Sequence, residues 1–515
     1  MPPLPEENLE VTQRLRILDT TLRDGDQTAG FSFSAEQKVR LAQLLDTCGV
    51  DCIEAGFPCS SDIEYSVCKD IVKKGLHADI AVMSRCLNGD IVRSAEVFSE
   101  ISDPDKAVLH LTIPVSDVLI RIKLHKTRKE ILSVIEDSVR TAKELTRKIE
   151  IGFEDATRAD RRFLASCCHT AVAAGASAVN IADTTGSVLP EKMSELIRFL
   201  VREIPAFSDR SVLLSIHCHN DCGLALANTL AAVRAGALQV EVTAAGLGER
   251  CGNTPLEELA YALSIHSDFY SVATGLHKEH LAELCRTLFS YCGTDFSPLK
   301  PVTGWNSDSH ASGLHQQGLC ADSFSYIANP VESYGMVHRR YVLNRHSGKN
   351  GLLAAVNNLT SGALTLSEKD AGILLAEIKA FTYEETGITD LCTLLYKHKL
   401  INYKPIMPGA VKIKYEDGLY TVSVSTSQLA ADGSADTVES AVIEAVRKIT
   451  SLDLSYNTVS CSRYILPETG GGKTRVYAEI DSAGKRYVVS ASAKNEAEAL
   501  VCCLFDTVNS IYASQ

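Results

Sequence analysis

The feature that most constrains this chain is an eightfold alternation of short β-branched runs with amphipathic helical stretches, running from Leu15 to about His266. Strands are expected at Leu15 to Asp19, Cys52 to Gly56, Ile80 to Met83, Ala107 to Thr112, Lys148 to Phe153, Ala178 to Ala182, Val212 to His217 and Gln239 to Thr243. A helical pattern follows each one, such as Ala35 to Cys48 after the first and Leu256 to Ile265 after the eighth. Eight β/α units in roughly 250 residues match a closed parallel (β/α)8 TIM barrel, an α/β fold. A doubly wound open sheet is the structural rival.

The placement of unusual polar residues favours the barrel. Arg23 and Asp24 follow strand one, Glu154 strand five, and Asp183 and Thr184 strand six; His217 and His219 sit at strand seven and Glu249 to Asn253 follow strand eight. In a barrel the carboxyl ends of the strands converge on one mouth, so residues far apart in sequence meet. An open sheet would scatter them. The His217-Cys218-His219 triplet adds a sharper signal, because side chains on a strand alternate with period two. Both imidazoles then face one side, and one added carboxylate makes an N,N,O metal site with positions open to substrate. Cys218 lies between the two histidines and so faces away, which sets aside a Cys/His zinc site built with Cys222.

Length and charge narrow the classes. At 515 residues there is room for two or more domains. The balance of 51 basic against 64 acidic residues gives a net charge of −13, with no Lys/Arg-rich run of the kind that tracks a phosphate backbone, so nucleic acid is not an expected partner. The first residues, Met1 to Glu7, have neither the basic nor the apolar region of a signal peptide, and no apolar stretch is long enough to cross a bilayer; a cytoplasmic protein is expected. The 17 cysteines are odd in number and many lie beside aliphatic residues, as in Cys167-Cys168 and Cys502-Cys503, which reads as reduced, buried thiols.

The expected domains are an N-terminal tail (1–14), the catalytic barrel (15–275), a helical linker or lid (276–404) and a C-terminal α+β module of regulatory type (405–515). The last shows strands, helix, strands, helix, with hairpin turns at Glu416-Asp417-Gly418 and Ser482-Ala483-Gly484 and helices at Thr437 to Ile449 and Asn495 to Ile511. Gly470-Gly471-Gly472-Lys473-Thr474 lacks P-loop spacing and precedes a strand, so it reads as a turn.

Each candidate has a plainer reading. A lone histidine such as His110 or His315 is more often a hydrogen-bonded structural residue than a ligand. Asp183-Thr184 would serve equally as a helix N-cap. Gly246 to Asn253 is either an anion-binding loop or a tight turn, and glycine permits close backbone approach in both. Asn253 could reach a metal through its amide oxygen.

Four motifs carry a family resemblance: Leu18-Asp19-Thr20-Thr21-Leu22-Arg23-Asp24-Gly25-Asp26-Gln27, Glu54-Ala55-Gly56-Phe57-Pro58, His217-Cys218-His219-Asn220-Asp221 and Gly246-Leu247-Gly248-Glu249-Arg250-Cys251-Gly252-Asn253. The chain resembles the 2-isopropylmalate synthase and homocitrate synthase family, the acyl-CoA-condensing branch of the TIM-barrel metallolyases. The resemblance extends through Ser312-Gly313-Leu314-His315-Gln316 and, more weakly, the C-terminal module. It implies a metal-dependent Claisen condensation of acetyl-CoA with a 2-oxo acid, followed by thioester hydrolysis. Asp24, His217 and His219 would bind a divalent cation (Mn²⁺, Mg²⁺ or Zn²⁺), with Asn253 as a further or conditional ligand. Arg23 would stabilise the charge developing on the substrate oxygen, Thr184 would hold the substrate carboxylate and His110 would line the substrate site. Glu154 and His315 match positions that deprotonate the acetyl methyl, and His315 and Tyr326 would arrive from the partner subunit of a homodimer.

Departures from the family pattern bear on the substrate. Homocitrate synthases carry Arg four residues before the strand-five glutamate; Glu150 here would repel a second carboxylate. Leucine-pathway members usually have Ser where this chain has Gly152, which enlarges or reshapes the pocket. Asp26 replaces the usual Glu, and Ala431 to Asp436 replaces the Gly-Asp-Gly-Pro-Val run of leucine-sensing members, so leucine as effector is a hypothesis only. The favoured acceptor is 3-methyl-2-oxobutanoate, giving 2-isopropylmalate in leucine biosynthesis. Citramalate or homocitrate synthesis, the reverse lyase reaction and a non-catalytic regulatory paralogue are the alternatives.

Overall fold

The computed structural model describes residues 13–292, 297–322, 324–328, 330–336, 341–380, 385–465 and 472–514. The tail expected over 1–14 thus lies outside the described residues except for its last two. The chain divides into two compact units after Cys292.

In the first unit eight parallel strands close on themselves: β1 (Arg16–Asp19), β2 (Cys52–Glu54), β3 (Asp79–Arg85), β4 (Ala107–Pro114), β5 (Lys148–Glu154), β6 (Ala178–Asp183), β7 (Leu213–Cys218) and β8 (Gln239–Val242). β1 pairs with both β2 and β8, which closes the ring and excludes the open sheet. Every expected strand is present, with ends shifted by a residue or two. The principal helices that follow are α1 (Ala35–Thr47), α2 (Asp62–Val72), α3 (Asn88–Glu96), α4 (Arg128–Leu145), α5 (Arg161–Ala174), α6 (Pro190–Glu203), α7 (Ala225–Ala235) and α8 (Leu256–Ile265). Two of their starts are chemically marked: Ser34 with Gln37 and Thr127 with Glu130 form capping boxes at α1 and α4.

Alternation along each strand sorts the barrel. Ile151, Ile181, Ile216 and Val240 are fully buried between polar neighbours that share the opposite face: Glu150, Gly152 and Glu154 on β5, Ser215 and His217 on β7, Gln239 and Glu241 on β8. His110 pairs in register with Glu150, and His217 with Glu241. The interior is therefore polar well below its mouth, where barrels of this kind are commonly filled by branched aliphatics. Cys218 is buried and hydrogen-bonds Thr229 of α7, on the helix side as alternation requires.

The second unit holds helices α9 (Gly313–Ala321), α10 (Lys349–Leu359), α11 (Glu368–Ala380) and α12 (Ile388–Lys397), then two three-stranded antiparallel sheets. Strands β9 (Val411–Glu416), β10 (Leu419–Ser425) and β11 (Ala430–Ala435) lead into α13 (Val438–Thr450); β12 (Leu454–Ile465), β13 (Gly472–Ser482) and β14 (Lys485–Ala493) lead into α14 (Glu496–Ala513). Val422, Val446, Val476 and Leu500 belong to one core that joins both halves. The hairpins turn at Asp417-Gly418 and Ala483-Gly484, whose φ values are all positive, as in a type I′ turn. Gly433 on β11 admits α13 at close range, since a Cβ there would lie 2.0 Å from Ala441 O. Gly470 and Gly471 lie outside the described residues; Gly472 opens a strand. No helix among the described residues is long and apolar enough to cross a membrane, and the 16 cysteines whose side chains are described are free.

Candidate active site and metal centre

Two adjoining buried clusters occupy the barrel. In the first, ligand atoms of Asp24, His217 and His219 lie within 4.8 Å of one another. His217 belongs to the inward column of β7; His219 falls one residue past the strand, where an isolated bridge to Asn253 holds its backbone. The two imidazole centroids are 4.9 Å apart, so both rings do face one side.

This cluster has the marks of a cation site. His219 Nδ1 and Asn253 Oδ1 are buried without a hydrogen-bond partner, a costly arrangement unless a ligand takes them up. Asn253 Nδ2 donates to Asp24 Oδ1 at 2.9 Å and to Leu247 O at 3.0 Å, leaving its oxygen as the unused end of the amide. Burial alone would raise the Asp24 carboxyl; Arg23 and the two histidines outweigh it and hold it well below the usual carboxylate range. Burial, with His217 close by, pushes His219 down to about 4, so its imidazole is neutral at physiological pH. An ionised carboxylate, imidazole nitrogens and an amide oxygen form a donor set that fits a divalent cation.

The second cluster is His110, Glu150 and Glu241. Glu241 joins it to the first: its Oε2 accepts from His217 Nδ1 at 2.6 Å, and Asn180 Nδ2 donates to its other oxygen. That bond leaves His217 Nε2, 3.8 Å from Asp24 Oδ2, as the nitrogen available to a metal. Sequence reasoning missed Glu241. Its only signal was a single acid in the otherwise buried run Gln239-Val240-Glu241-Val242.

Glu54 is a second hub. It accepts from Arg23 Nε at 2.7 Å, from Thr20 Oγ1 at 2.5 Å and from His110 Nδ1 at 2.7 Å. Arg23 also donates to Asp24 Oδ2 at 2.5 Å, so two carboxylates fix its guanidinium beside the cation site. Burial would lower His110, but Glu54 and Glu241 overcome it and raise the imidazole to about 9. Below it, Gln239 Nε2 donates to both oxygens of Glu150 at 2.8 and 2.9 Å, and burial raises the Glu150 carboxyl to about 6.

The remaining site residues sit around these clusters. Glu154, half-buried at the end of β5, accepts from Lys123 Nζ at 2.9 and 2.8 Å. Thr184 Oγ1 accepts from Asp155 N at 2.8 Å, and Thr184 O accepts from Arg250, whose guanidinium grips Asp221 at 2.8 and 2.9 Å. The N-cap alternative for Asp183-Thr184 does not apply, because α6 starts at Pro190; Asp183 instead accepts from Thr157 Oγ1 and Val188 N. The shortened Asp26 accepts from Phe33 N and lies 3.0 Å from the buried Lys38, which it shares with Glu64. His315 and Tyr326 lie in the second unit, stacked with ring centroids 4.0 Å apart.

Comparison with known proteins assigns this architecture. Residues 14–288 match the HMGL-like family model, over half of the chain. The chain belongs to the HMGL-like family. A second model, described as homocitrate synthase post-HMGL domain-like, matches residues 302–386. The chain is 35% identical to the 2-isopropylmalate synthase of Sediminispirochaeta smaragdinae, over 96% of this chain and 98% of that one. It is 38% identical to the 2-isopropylmalate synthase of Pyrococcus furiosus, over 74% and 75% of the two chains. Among solved structures, hydroxymethylglutaryl-CoA lyase from Pseudomonas aeruginosa matches 55% of this chain and 94% of its own, at 20% identity and a TM-score of 0.47. The family models and the 2-isopropylmalate synthase relatives bear out the resemblance read from the motifs. This HMGL-like chain is an enzyme of acyltransferase type, akin to 2-isopropylmalate synthases.

Proposed function

We propose that the protein condenses acetyl-CoA with 3-methyl-2-oxobutanoate to give 2-isopropylmalate, the product that its relatives' names specify. The observation that carries this reading is the meeting of Asp24, His217, His219 and the unpaired Asn253 oxygen beside a doubly held Arg23. These four residues would hold a divalent ion, which would supply Lewis-acid polarisation of the 2-oxo acid's carbonyl. Arg23 offers guanidinium donors to the oxygen as it gains charge. Thr184 binds the substrate carboxylate, and His110 lines the pocket for the acyl chain.

Glu154 takes a proton from the acetyl methyl, with Lys123 holding its carboxylate in place. The resulting carbon nucleophile adds to the ketone, and hydrolysis of the thioester releases CoA. His315 and Tyr326 reach this site from the partner subunit of a cytoplasmic homodimer, and the 405–515 module acts as a regulatory domain with leucine as its effector. Glu150, a buried acid where homocitrate synthases carry Arg, supports an apolar acceptor over 2-oxoglutarate, whose second carboxylate it would repel.

The test is release of free thiol from acetyl-CoA with purified protein and 3-methyl-2-oxobutanoate, pyruvate, 2-oxobutanoate, 4-methyl-2-oxopentanoate or 2-oxoglutarate, each with and without chelator. Chelator-sensitive turnover led by 3-methyl-2-oxobutanoate is expected. Silence across the panel from a metal-loaded dimer would overturn the reading.

A further inference from the structure

We infer that the connection between β4 and α4 docks the phosphorylated nucleotide end of a CoA thioester. The inference rests on the reading above that the donor is an acyl-CoA. Residues 121–129 contain five Lys or Arg, Arg121, Lys123, Lys126, Arg128 and Lys129, and no acid lies between Asp117 and Glu130. In a chain of net charge −13 this is a local reversal of sign. The stretch is too short to track a polynucleotide and matches the three phosphates of one coenzyme.

Position supports the assignment. Connections from strand to helix lie at the carboxyl mouth of a barrel, where the reacting groups are. Lys123 ties this one to Glu154, the proposed base, so the basic stretch starts at the reaction centre and leads away from it. A π-helical turn over Ile120–Leu124, ended by His125 at φ 51°, then carries the chain to Thr127, the N-cap of α4.

Pairing divides the cations by role. Arg128 is committed: it grips Asp117 at 2.7 Å through two nitrogens, lies 3.8 Å from Asp160 and covers the Phe163 ring. It thereby joins this connection to the start of α5, where Arg162 is exposed. Arg121, Lys126, Lys129 and Arg162 are exposed and make no ion pair among the described residues. Val118 and Ile122 are exposed apolar neighbours of these cations, and an adenine ring offers a flat apolar face to match. Unspent cations beside exposed apolar side chains suit a ligand with phosphates at one end and a base beside them.

The experiment compares wild type with Arg121→Ala/Lys126→Ala/Lys129→Ala, leaving Lys123 intact. Isothermal calorimetry with CoA, dephospho-CoA and ATP reads binding without turnover, and steady-state kinetics uses acetyl-CoA and S-acetyl-N-acetylcysteamine, which lacks the nucleotide. The expected result is an acetyl-CoA KM raised roughly tenfold at low salt, as three modest exposed ion pairs would give, with the 2-oxo acid KM and the short thioester KM within twofold. The effect shrinks as salt is added. CoA binding weakens in parallel, and dephospho-CoA binds wild type less tightly than CoA.

An unchanged CoA affinity and acetyl-CoA KM in the triple variant, or ATP binding as tightly as CoA, would overturn the inference. A wild type that binds CoA but never turns over overturns the proposed reaction alone, and the calorimetric comparison still decides the docking site. Lys126→Glu/Lys129→Glu, at two exposed positions, repeats the test should the triple variant fail to fold.

Discussion

His217 Nδ1 lies 2.6 Å from Glu241 Oε2, both residues buried, and this bond decides which nitrogen of the imidazole is presented toward Asp24. A carboxylate only accepts, so Nδ1 carries a proton and Nε2 is the nitrogen left to face a cation. His219 has no such partner at its Nδ1. Glu241→Gln keeps an acceptor near His217 but loses its charge and certain orientation. Metal affinity should fall roughly 10- to 100-fold, read by competition with a fluorescent chelator. Wild-type affinity in that variant would mean that strand geometry alone aims the ring.

Gly152 sets the space that His110 occupies. A Cβ at this position would stand 2.9 Å from His110 Nε2, closer than side chains tolerate. Gly152→Ser should push the ring from between Glu54 and Glu241 and lower kcat/KM by about tenfold or more, the scale of losing one charge-assisted hydrogen bond. The order of preference among 2-oxo acids should change as well. Kinetics across the acceptor panel would show it, and an unchanged profile would mean His110 does not shape the pocket.

Asp19 links stability to pH. Burial raises its carboxyl from 3.8 to about 7, against the hydrogen bonds from Thr21, with Glu257 and Glu54 adding to the rise. The folded state thus holds the proton more tightly than the unfolded one. Its contribution is fully present below pH 4 or so and is lost as pH climbs toward about 7. Asp19→Asn mimics the protonated form and removes this dependence. Between pH 5 and 8 wild type should lose on the order of 2 kcal/mol relative to the variant, measured by denaturant unfolding at each pH. Parallel curves for the two proteins would disprove the linkage.

Metal removal should be visible without any substrate. An ion that binds only the folded site stabilises by about 3 kcal/mol at a hundred times its Kd, which is roughly 5–10 °C in Tm for a unit of this size. Differential scanning fluorimetry with chelator, then with Mn²⁺, Mg²⁺ or Zn²⁺ restored, gives the shift and ranks the ions. The Asp24→Ala variant should show no shift with any of them.

The barrel was legible because period-two and period-3.6 patterns alternate eight times, and that alternation survives without knowledge of any long-range contact. Arg23, Asp24, His217 and His219 were legible for a related reason. They follow strand ends, and a closed barrel brings all strand ends to one mouth whatever the loops do. Glu154 and Thr184 were located at strand ends in the same way. Nothing local announced that Lys123 would hold Glu154, since an exposed lysine in a loop has no pattern.

Glu54 and Glu241 mark where local reading stops. Each is one acid in a short apolar strand, and the sequence alone cannot say whether such a group is a ligand, a base or a partner. Pairing of β7 with β8 brings Glu241 to His217, and the β2 to β4 neighbourhood brings Glu54 between Arg23 and His110. The sequence by itself determined the number of strands, the faces their side chains take and hence the residues that meet at the mouth, because these follow from local periodicity. Only the tertiary structure decided which buried charge answers which, because a carboxylate taken out of water is stable only against the particular donors that the closed fold brings within hydrogen-bond reach.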